Sequence, residues 1–343
     1  MDLELLEKTL AGHGERRFRS RQVWGWLARG AASYEEMTDL PAPLRASLAS
    51  EVPFSSLQLR AQARARDGTV KALFATAEGH PLEAVLMRFR DGRRSVCLSS
   101  QSGCPLTCSF CATGAMRFAR NLSASEILDQ ALHFRRRGPV DHCVFMGMGE
   151  PMLNLDAVLA ACERLPDLGI THRRTTISTV GWIPGIERLA EHDRPLRLAI
   201  SVHAAEDALR SQLMPVNERF SLEDVIDAAR AFYARRRRRV FIEYVMLAGV
   251  NDRYEQALAL ARLLAGARGA SIFKVNLIPY NATGAAGDDP YTGSTRDSIA
   301  AFQAALHSQG ITATVRLTRG RAINAACGQL ATQDTAPSVA TRP

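Results

Sequence analysis

Gly103-Cys104-Pro105-Leu106-Thr107-Cys108-Ser109-Phe110-Cys111 is the stretch on which the reading of this chain turns. Three cysteines stand at the spacing C-x3-C-x2-C, with no fourth close by. Thiolates are the usual protein ligands of iron–sulfur clusters, and a four-iron cube normally takes four of them. Three ligands leave one iron open to something that is not protein, and an open metal position marks a reactive site. The bland alternatives are a zinc site completed by a distant His or Cys, or three thiols packed in a core. The flanking residues argue against both.

Upstream of the loop the pattern reads as strands: Thr69 to Phe74, Leu82 to Met87 and Val96 to Ser99, with Arg90-Asp91-Gly92-Arg93 as a hairpin turn. Downstream, helices and strands alternate. Ser123 to Arg137 is a helix opened by a capping box, Ser123 with Glu126. Strands follow at Val140 to Met146, Thr175 to Ser178, Leu196 to Val202, Val240 to Leu247, Ile272 to Ile278 and Thr312 to Leu317, with a helix at Leu155 to Leu165 and further helical stretches between. Such alternation predicts an α/β fold with a parallel sheet and right-handed crossovers, a complete or partial (β/α) barrel. Residues 1–52 read as short helices: Leu3 to Leu10, Ser20 to Ala28, Tyr34 to Asp39 and Pro41 to Leu48. The predicted organisation is a helical accessory domain over 1–52, a strand-rich connector over 53–93, the barrel over 94–330 and a flexible tail over 331–343.

In a (β/α) barrel the chemistry sits at the C-terminal ends of the strands. The cysteine loop follows one such end. Gly147-Met148-Gly149-Glu150-Pro151, Ser178 to Gly181, Ser201-Val202-His203, Asn281 and Cys327 follow others. Each is small or polar where an apolar run stops. Singly these are weak signals; their shared position makes them candidates. Cys143, within a strand, and Cys162, on the apolar face of a helix, read as structural.

With 343 residues, 46% of them hydrophobic, the chain can build a large core without disulfides. No apolar run is long enough to span a bilayer, and the acidic, amphipathic start does not resemble a secretory signal. Seven cysteines, an odd and clustered set, read as metal or catalytic thiols in a reducing compartment, which places the protein in the cytoplasm. The 43 basic against 35 acidic residues give a net charge of +8 and favour a polyanionic partner such as RNA. Arg16, Arg17, Arg19 and Arg21 around Phe18 suit nucleic-acid contact, whereas the run Arg235 to Arg239 reads equally well as a helix end. Trp24 and Trp26 are assigned to core packing.

The cysteine loop with Ala112-Thr113-Gly114 and Arg120-Asn121-Leu122 resembles a radical S-adenosylmethionine (SAM) enzyme. More narrowly, the chain is similar to the RlmN/Cfr family of radical SAM RNA methyltransferases, and most like RlmN. The likeness runs through Ser100 to Cys104, Phe145 to Pro151, Thr176 to Gly181, Leu198 to His203, Ile242 to Met246, Lys274 to Pro279 and Ala325 to Leu330, and includes Phe18 to Val23 and Glu36 to Leu40. It implies a partial (β/α)6 barrel with a small N-terminal helical domain. It implies that Cys104, Cys108 and Cys111 hold one [4Fe-4S] cluster, and that Gly149, Glu150, Ser178, Ser201, Val202, His203 and Asn281 contact SAM. It further implies that Cys327 is methylated by one SAM and passes carbon to adenine with the help of a second. Cys97 then attacks Cys327 sulfur and leaves a transient disulfide, and Glu83 takes the ring proton. The implied substrate is an adenosine of 23S rRNA in the peptidyl-transferase region, methylated at C2, with tRNA a substrate of some members. An external one-electron donor, a disulfide reductant and a monomeric protein complete the expectation.

One segment departs from the family: Arg319-Gly-Arg-Ala-Ile-Asn324 stands where an acidic residue and Asp-Ile are usual. Three rival readings remain open at this point. They are a Cfr-like C8 methyltransferase, a glycyl-radical activase that would need neither Cys97 nor Cys327, and a non-enzymatic metal- and RNA-binding protein.

Overall fold

The structure, a computed structural model, describes residues 1–265, 272–283 and 289–331; the expected tail lies outside these apart from Ala331. Three helices open the chain: α1 (Leu3–Gly12), α2 (Phe18–Arg29) and α3 (Ala42–Glu51). Asp2 caps α1 through its side chain, and Gly30, at φ +103, ends α2 in the left-handed conformation that glycine adopts without strain. The helix expected over Tyr34 to Asp39 is instead two linked turns, Met37 N–H to Tyr34 O and Leu40 N–H to Met37 O. A six-residue segment does not recover the cost of helix nucleation. Its buried residues Tyr34, Met37 and Leu40, spaced by three, are served as well by turns.

Next come β1 (Gln58–Arg64), β2 (Val70–Ala75), β3 (Pro81–Arg88) and β4 (Arg94–Cys97), joined antiparallel. β1 lies outside the expected strands, which begin at Thr69. It is an edge strand with mostly exposed positions; Gln-Leu-Arg-Ala-Gln-Ala-Arg alternates, but its apolar face is only Leu59, Ala61 and Ala63, and its arginines protect the edge with charge. After β5 (Gln101–Ser102), β6 (Arg120–Asn121) and α4 (Ala124–Arg135), strands and helices alternate: β7 (His142–Phe145), α5 (Leu155–Arg164), β8 (Thr175–Thr179), α6 (Ile183–Glu191), β9 (Arg197–Ser201), α7 (Asp207–Leu213), α8 (Leu222–Arg236), β10 (Val240–Met246), α9 (Tyr254–Ala265), β11 (Phe273–Pro279), α10 (Arg296–Ser308) and β12 (Thr312–Val315). The Ser123–Glu126 capping box is present at the start of α4.

One ten-stranded sheet runs β1-β2-β3-β4-β7-β8-β9-β10-β11-β12, parallel from β4 onward. Each of the six crossovers between parallel strands carries a helix, so the parallel part is six β/α units closed by β12. Val85 and Met87 of β3 and Thr314 of β12 line one cavity, so the sheet wraps into an open barrel. Apolar residues of the barrel and of α1 to α3 form one continuous core. Trp24 is buried in it and donates to Asp167, while Trp26 is only partly covered and donates to Asp39. Cys143 and Cys162 are wholly buried, consistent with structural roles.

Candidate active site

The cysteine loop is clamped at its base by the β5–β6 pair, which matches Ser102 with Arg120 and Gln101 with Asn121. Gly103 opens the loop at φ +73, and a Cβ there would lie 2.3 Å from the Arg117 carbonyl oxygen. Only glycine fits. Gly103→Ala is therefore expected to strain the backbone by about 1–3 kcal/mol. Iron bound after reconstitution should fall to a small fraction of the wild-type content, as an iron assay beside a melting curve would show. Cys104, Cys108 and Cys111 are free and partly buried. Burial pushes the Cys104 thiol up to about 12, and burial and the neighbouring Cys111 and Cys104 raise that of Cys108.

Facing the loop, the strand ends supply a polar wall. Gly149 sits at φ +92, where a Cβ would meet Gln101 at 2.5 Å. This close approach lets the Glu150 amide donate to Gln101 Oε1 at 2.8 Å. The Glu150 carboxylate accepts from the Met152 amide (3.0 Å) and the Val180 amide (2.9 Å). Burial nonetheless raises its pKa to about 7. Cys111, Gly149, Glu150, Ser178, Ser201 and His203 all line a cavity of ≈ 160 Å³. His203, in the left-handed region at φ 57, accepts from the Val245 amide at Nδ1 and meets the Phe110 ring edge-on at 4.6 Å.

Burial, and next the charge of Arg210, lower the His203 pKa to about 3. A neutral folded-state imidazole is stable above its unfolded pKa near 6.5, and that stability is lost as pH falls through about 3. Unfolding free energy of the cofactor-free protein should therefore decline across that window. In His203→Gln the decline should be shallower by as much as about 5 kcal/mol, measurable by denaturant titration at a series of pH values.

A second cavity of ≈ 440 Å³ fills the barrel interior and carries Cys97 and Cys327 in its wall. The two cavities share Cys327, Glu243 and Arg316. Burial, and next the neighbouring Cys327, push the Cys97 thiol up to about 12. Cys327 is reachable from the cavities yet surrounded by protein; that desolvation raises its pKa, and Arg316 pulls it back. Arg316 pairs with Glu243 at 3.1 Å, Asn276 donates to Glu243 at 2.8 Å, and Thr314 donates to Asn276 at 2.9 Å. The Cys327 segment is bonded directly to the cysteine loop: Ala112 N–H to Gly328 O at 2.8 Å and Thr113 Oγ1 to Leu330 O at 2.6 Å. Asn281 donates to the Cys327 carbonyl at 3.3 Å, and its Oδ1 is buried with no protein partner among the described residues.

Two candidates stand apart from this wall. Val202 is fully buried, its amide donating to Glu243 O, and is absent from the residues lining either cavity. Glu83 faces the same side of β3 as Val85 and Met87 but pairs with buried Lys71 at 2.8 Å and accepts from the Ala331 amide at 3.2 Å. The C-terminal segment covers it. Sequence reasoning missed Arg316 and Glu243 as neighbours of the two thiols, and Arg210. Position at a strand end could have flagged Arg316; nothing local marks Arg210.

Residues 98–261 match the Radical SAM superfamily, and residues 1–53 match the ribosomal RNA large subunit methyltransferase N-terminal domain. The chain is 42% identical to the dual-specificity RNA methyltransferase RlmN of Anaeromyxobacter sp. (strain Fw109-5), over 97% of this chain and 90% of that protein. It is 47% identical to the probable enzyme of the same name from Gemmatimonas aurantiaca, over 96% and 91%. Among solved structures, a radical SAM methyltransferase from Sphaerobacter thermophilus superposes with a TM-score of 0.89 at 42% identity, covering 96% of this chain and 97% of that one.

Proposed function

The chain belongs to the RlmN family of radical SAM RNA methyltransferases, and from that premise we propose that it methylates C2 of an adenosine in the peptidyl-transferase region of 23S rRNA and of a tRNA adenosine. The family works with a [4Fe-4S] cluster and SAM. The residues present suit both: three free thiols on one clamped loop, and beside them a cavity with a buried carboxylate and hydroxyls, while Asn281, in the wall of the adjoining larger cavity, has an amide oxygen with no partner among the described residues. Cys104, Cys108 and Cys111 would hold the cluster. Gly149, Glu150, Ser178, Ser201, His203 and Asn281 would hold SAM, with Val202 fixing the backbone between Ser201 and His203. Bound together, cluster and SAM would supply the radical chemistry needed at a ring carbon that has no lone pair to attack a sulfonium methyl.

The observation that carries the reading is that Cys97 and Cys327 share one cavity wall, with Cys327 near enough to raise the pKa of Cys97. Cys327 carries the carbon to be transferred. Cys97 attacks its sulfur, frees the RNA and leaves a disulfide, which an external reductant reopens. Arg316, held by Glu243, keeps a positive charge beside both sulfurs. For Glu83 to take the ring proton, Ala331 must first release its carboxylate. In this reading residues 1–52 form a helical accessory domain, 53–93 a strand-rich connector and 94–330 the barrel, and the enzyme acts as a monomer in the cytoplasm. No helix among the described residues is long and apolar enough to cross a membrane.

Mass mapping of adenosines in rRNA and tRNA from cells with and without this chain tests the proposal. Loss of 2-methyladenosine from both RNAs supports it. Loss of 8-methyladenosine instead moves the enzyme to the Cfr-like branch, and an unchanged map overturns the assignment.

A further inference from the structure

At the end of the barrel away from the cysteine loop, the N-terminal ends of the strands gather cations. Arg174 stands just before β8, Arg197 opens β9, Arg238 lies two residues before β10, and Lys274 is the second residue of β11. Register places Arg197 beside Thr176 and Lys274 beside Phe241. Arg174, Arg197 and Lys274 line the larger cavity, whose wall also carries both thiols. The arginines are close enough to disfavour one another's charge. Burial and then Arg197, Arg173 and Arg236 lower the Arg238 pKa, and burial and then Arg174 lower that of Arg197.

Nearby carboxylates are engaged elsewhere. Asp141 binds His142, and Glu163 binds Arg194 at 2.8 Å. Among the described residues, Arg173, Arg174, Arg197 and Arg238 form no salt bridge. A gathering of unpaired like charges costs stability, and an anionic partner removes that cost.

Across the cavity, the rim is built differently. Phe89 lies under Arg93, at 4.5 Å from the ring centroid, and under Arg319, at 5.4 Å. Arg93 also contacts Asp91 at 2.7 Å, and Arg319 reaches Asp67 at 3.9 Å. All three rim residues line the same cavity. Cations that follow a backbone, with an aromatic ring beside them, are the ordinary means of holding a single strand. An enzyme acting on a base ring takes that base out of its stack and into a pocket.

We propose that this mouth of the barrel is the RNA-docking face. Phosphates on one side of the target lie along Arg174, Arg197, Arg238 and Lys274, and the strand on the other side rests on Phe89 between Arg93 and Arg319. The target adenine enters toward Cys97 from the side away from the cysteine loop. This rests on the proposed RNA methyltransferase activity and adds the route by which RNA reaches the thiols.

The test is RNA binding and methylation with a 23S rRNA hairpin, under anaerobic conditions, by the reconstituted enzyme. Arg174→Glu/Arg197→Glu is expected to weaken binding at least about tenfold near 0.1 M salt. The slope of log affinity against log salt should shrink by about 1.4, two phosphates at ~0.7 each. The KM for RNA should rise while kcat at saturating RNA changes little. Arg174→Gln/Arg197→Gln, which introduces no new charge, should show the same salt-slope change with a smaller loss of affinity, and Arg174→Lys/Arg197→Lys should restore most of it. Binding and salt slope unchanged in both the Glu and Gln pairs would overturn the docking face. So would loss of binding only on reversing Arg16 and Arg17. Wild-type protein that methylates no RNA would instead overturn the activity on which the docking face rests.

Discussion

Cys97→Ala is expected to stop after one turnover with RNA bonded to the protein through Cys327, and Cys327→Ala to yield neither adduct nor methylated RNA. Multiple-turnover rates should fall by about three orders of magnitude or more in both, because in the proposed mechanism each variant lacks a group that forms and breaks a bond. The two differ in what accumulates, and denaturing gel electrophoresis followed by RNase treatment reads that directly. The geometry underlies the expectation. Both sulfurs lie in the wall of one cavity, burial holds Cys97 as a neutral thiol until it is needed, and Arg316 is the cation nearest to both. Equal absence of adduct in the two variants would sink the division of roles.

The second large effect is expected far from any sulfur. Arg210 is wholly buried. Its guanidinium donates to Asn217 Oδ1 at 2.6 Å, to the Val180 carbonyl at 2.5 Å and to the Ser201 carbonyl at 3.2 Å. Val180 follows β8 and Ser201 ends β9, so one side chain ties together the two strand ends that wall the smaller cavity. Burial lowers its pKa to about 10, which still leaves it charged at neutral pH. Removing the cation leaves two carbonyls and an amide oxygen unpaired in the interior. Arg210→Ala should therefore destabilise the fold by about 3–5 kcal/mol. Arg210→Met, which restores the volume but not the donors, should recover only part of this. Thermal melts of the three proteins measure it, and a melting temperature within a degree of wild type for Arg210→Ala would refute the role.

The two effects show what the sequence carried and what it did not. The cysteine spacing, the strand alternation and the polar residues at strand ends are local patterns with a place in the structure: the loop, the parallel sheet and, for most of the strand-end residues, the smaller cavity, with Asn281 in the wall of the larger one. β1 escaped although Leu59, Ala61 and Ala63 alternate with polar residues, because two of the three are small and Leu59 is exposed, which leaves only a weak apolar face. Tyr34 to Asp39 read as a helix because spacing by three fits turns as well as helices. Arg210 and Arg316 were missed for a different reason. Their importance lies in partners 9 to 73 positions away, as between Arg210 and Ser201 or Arg316 and Glu243. Glu83 illustrates the same limit, since its position on β3 is readable but its burial beneath Ala331 depends on how the far end of the chain returns.

That return governs when the site can exist at all. Thr113 and Leu330, whose hydrogen bond helps join the cysteine loop to the Cys327 segment, are 217 positions apart. During synthesis the loop leaves the ribosome long before its cover does, and closing so long a connection comes late in folding. A nascent chain therefore displays three bare thiols to the solvent until its last residues arrive. Delivery of iron and sulfur has its widest access in that interval.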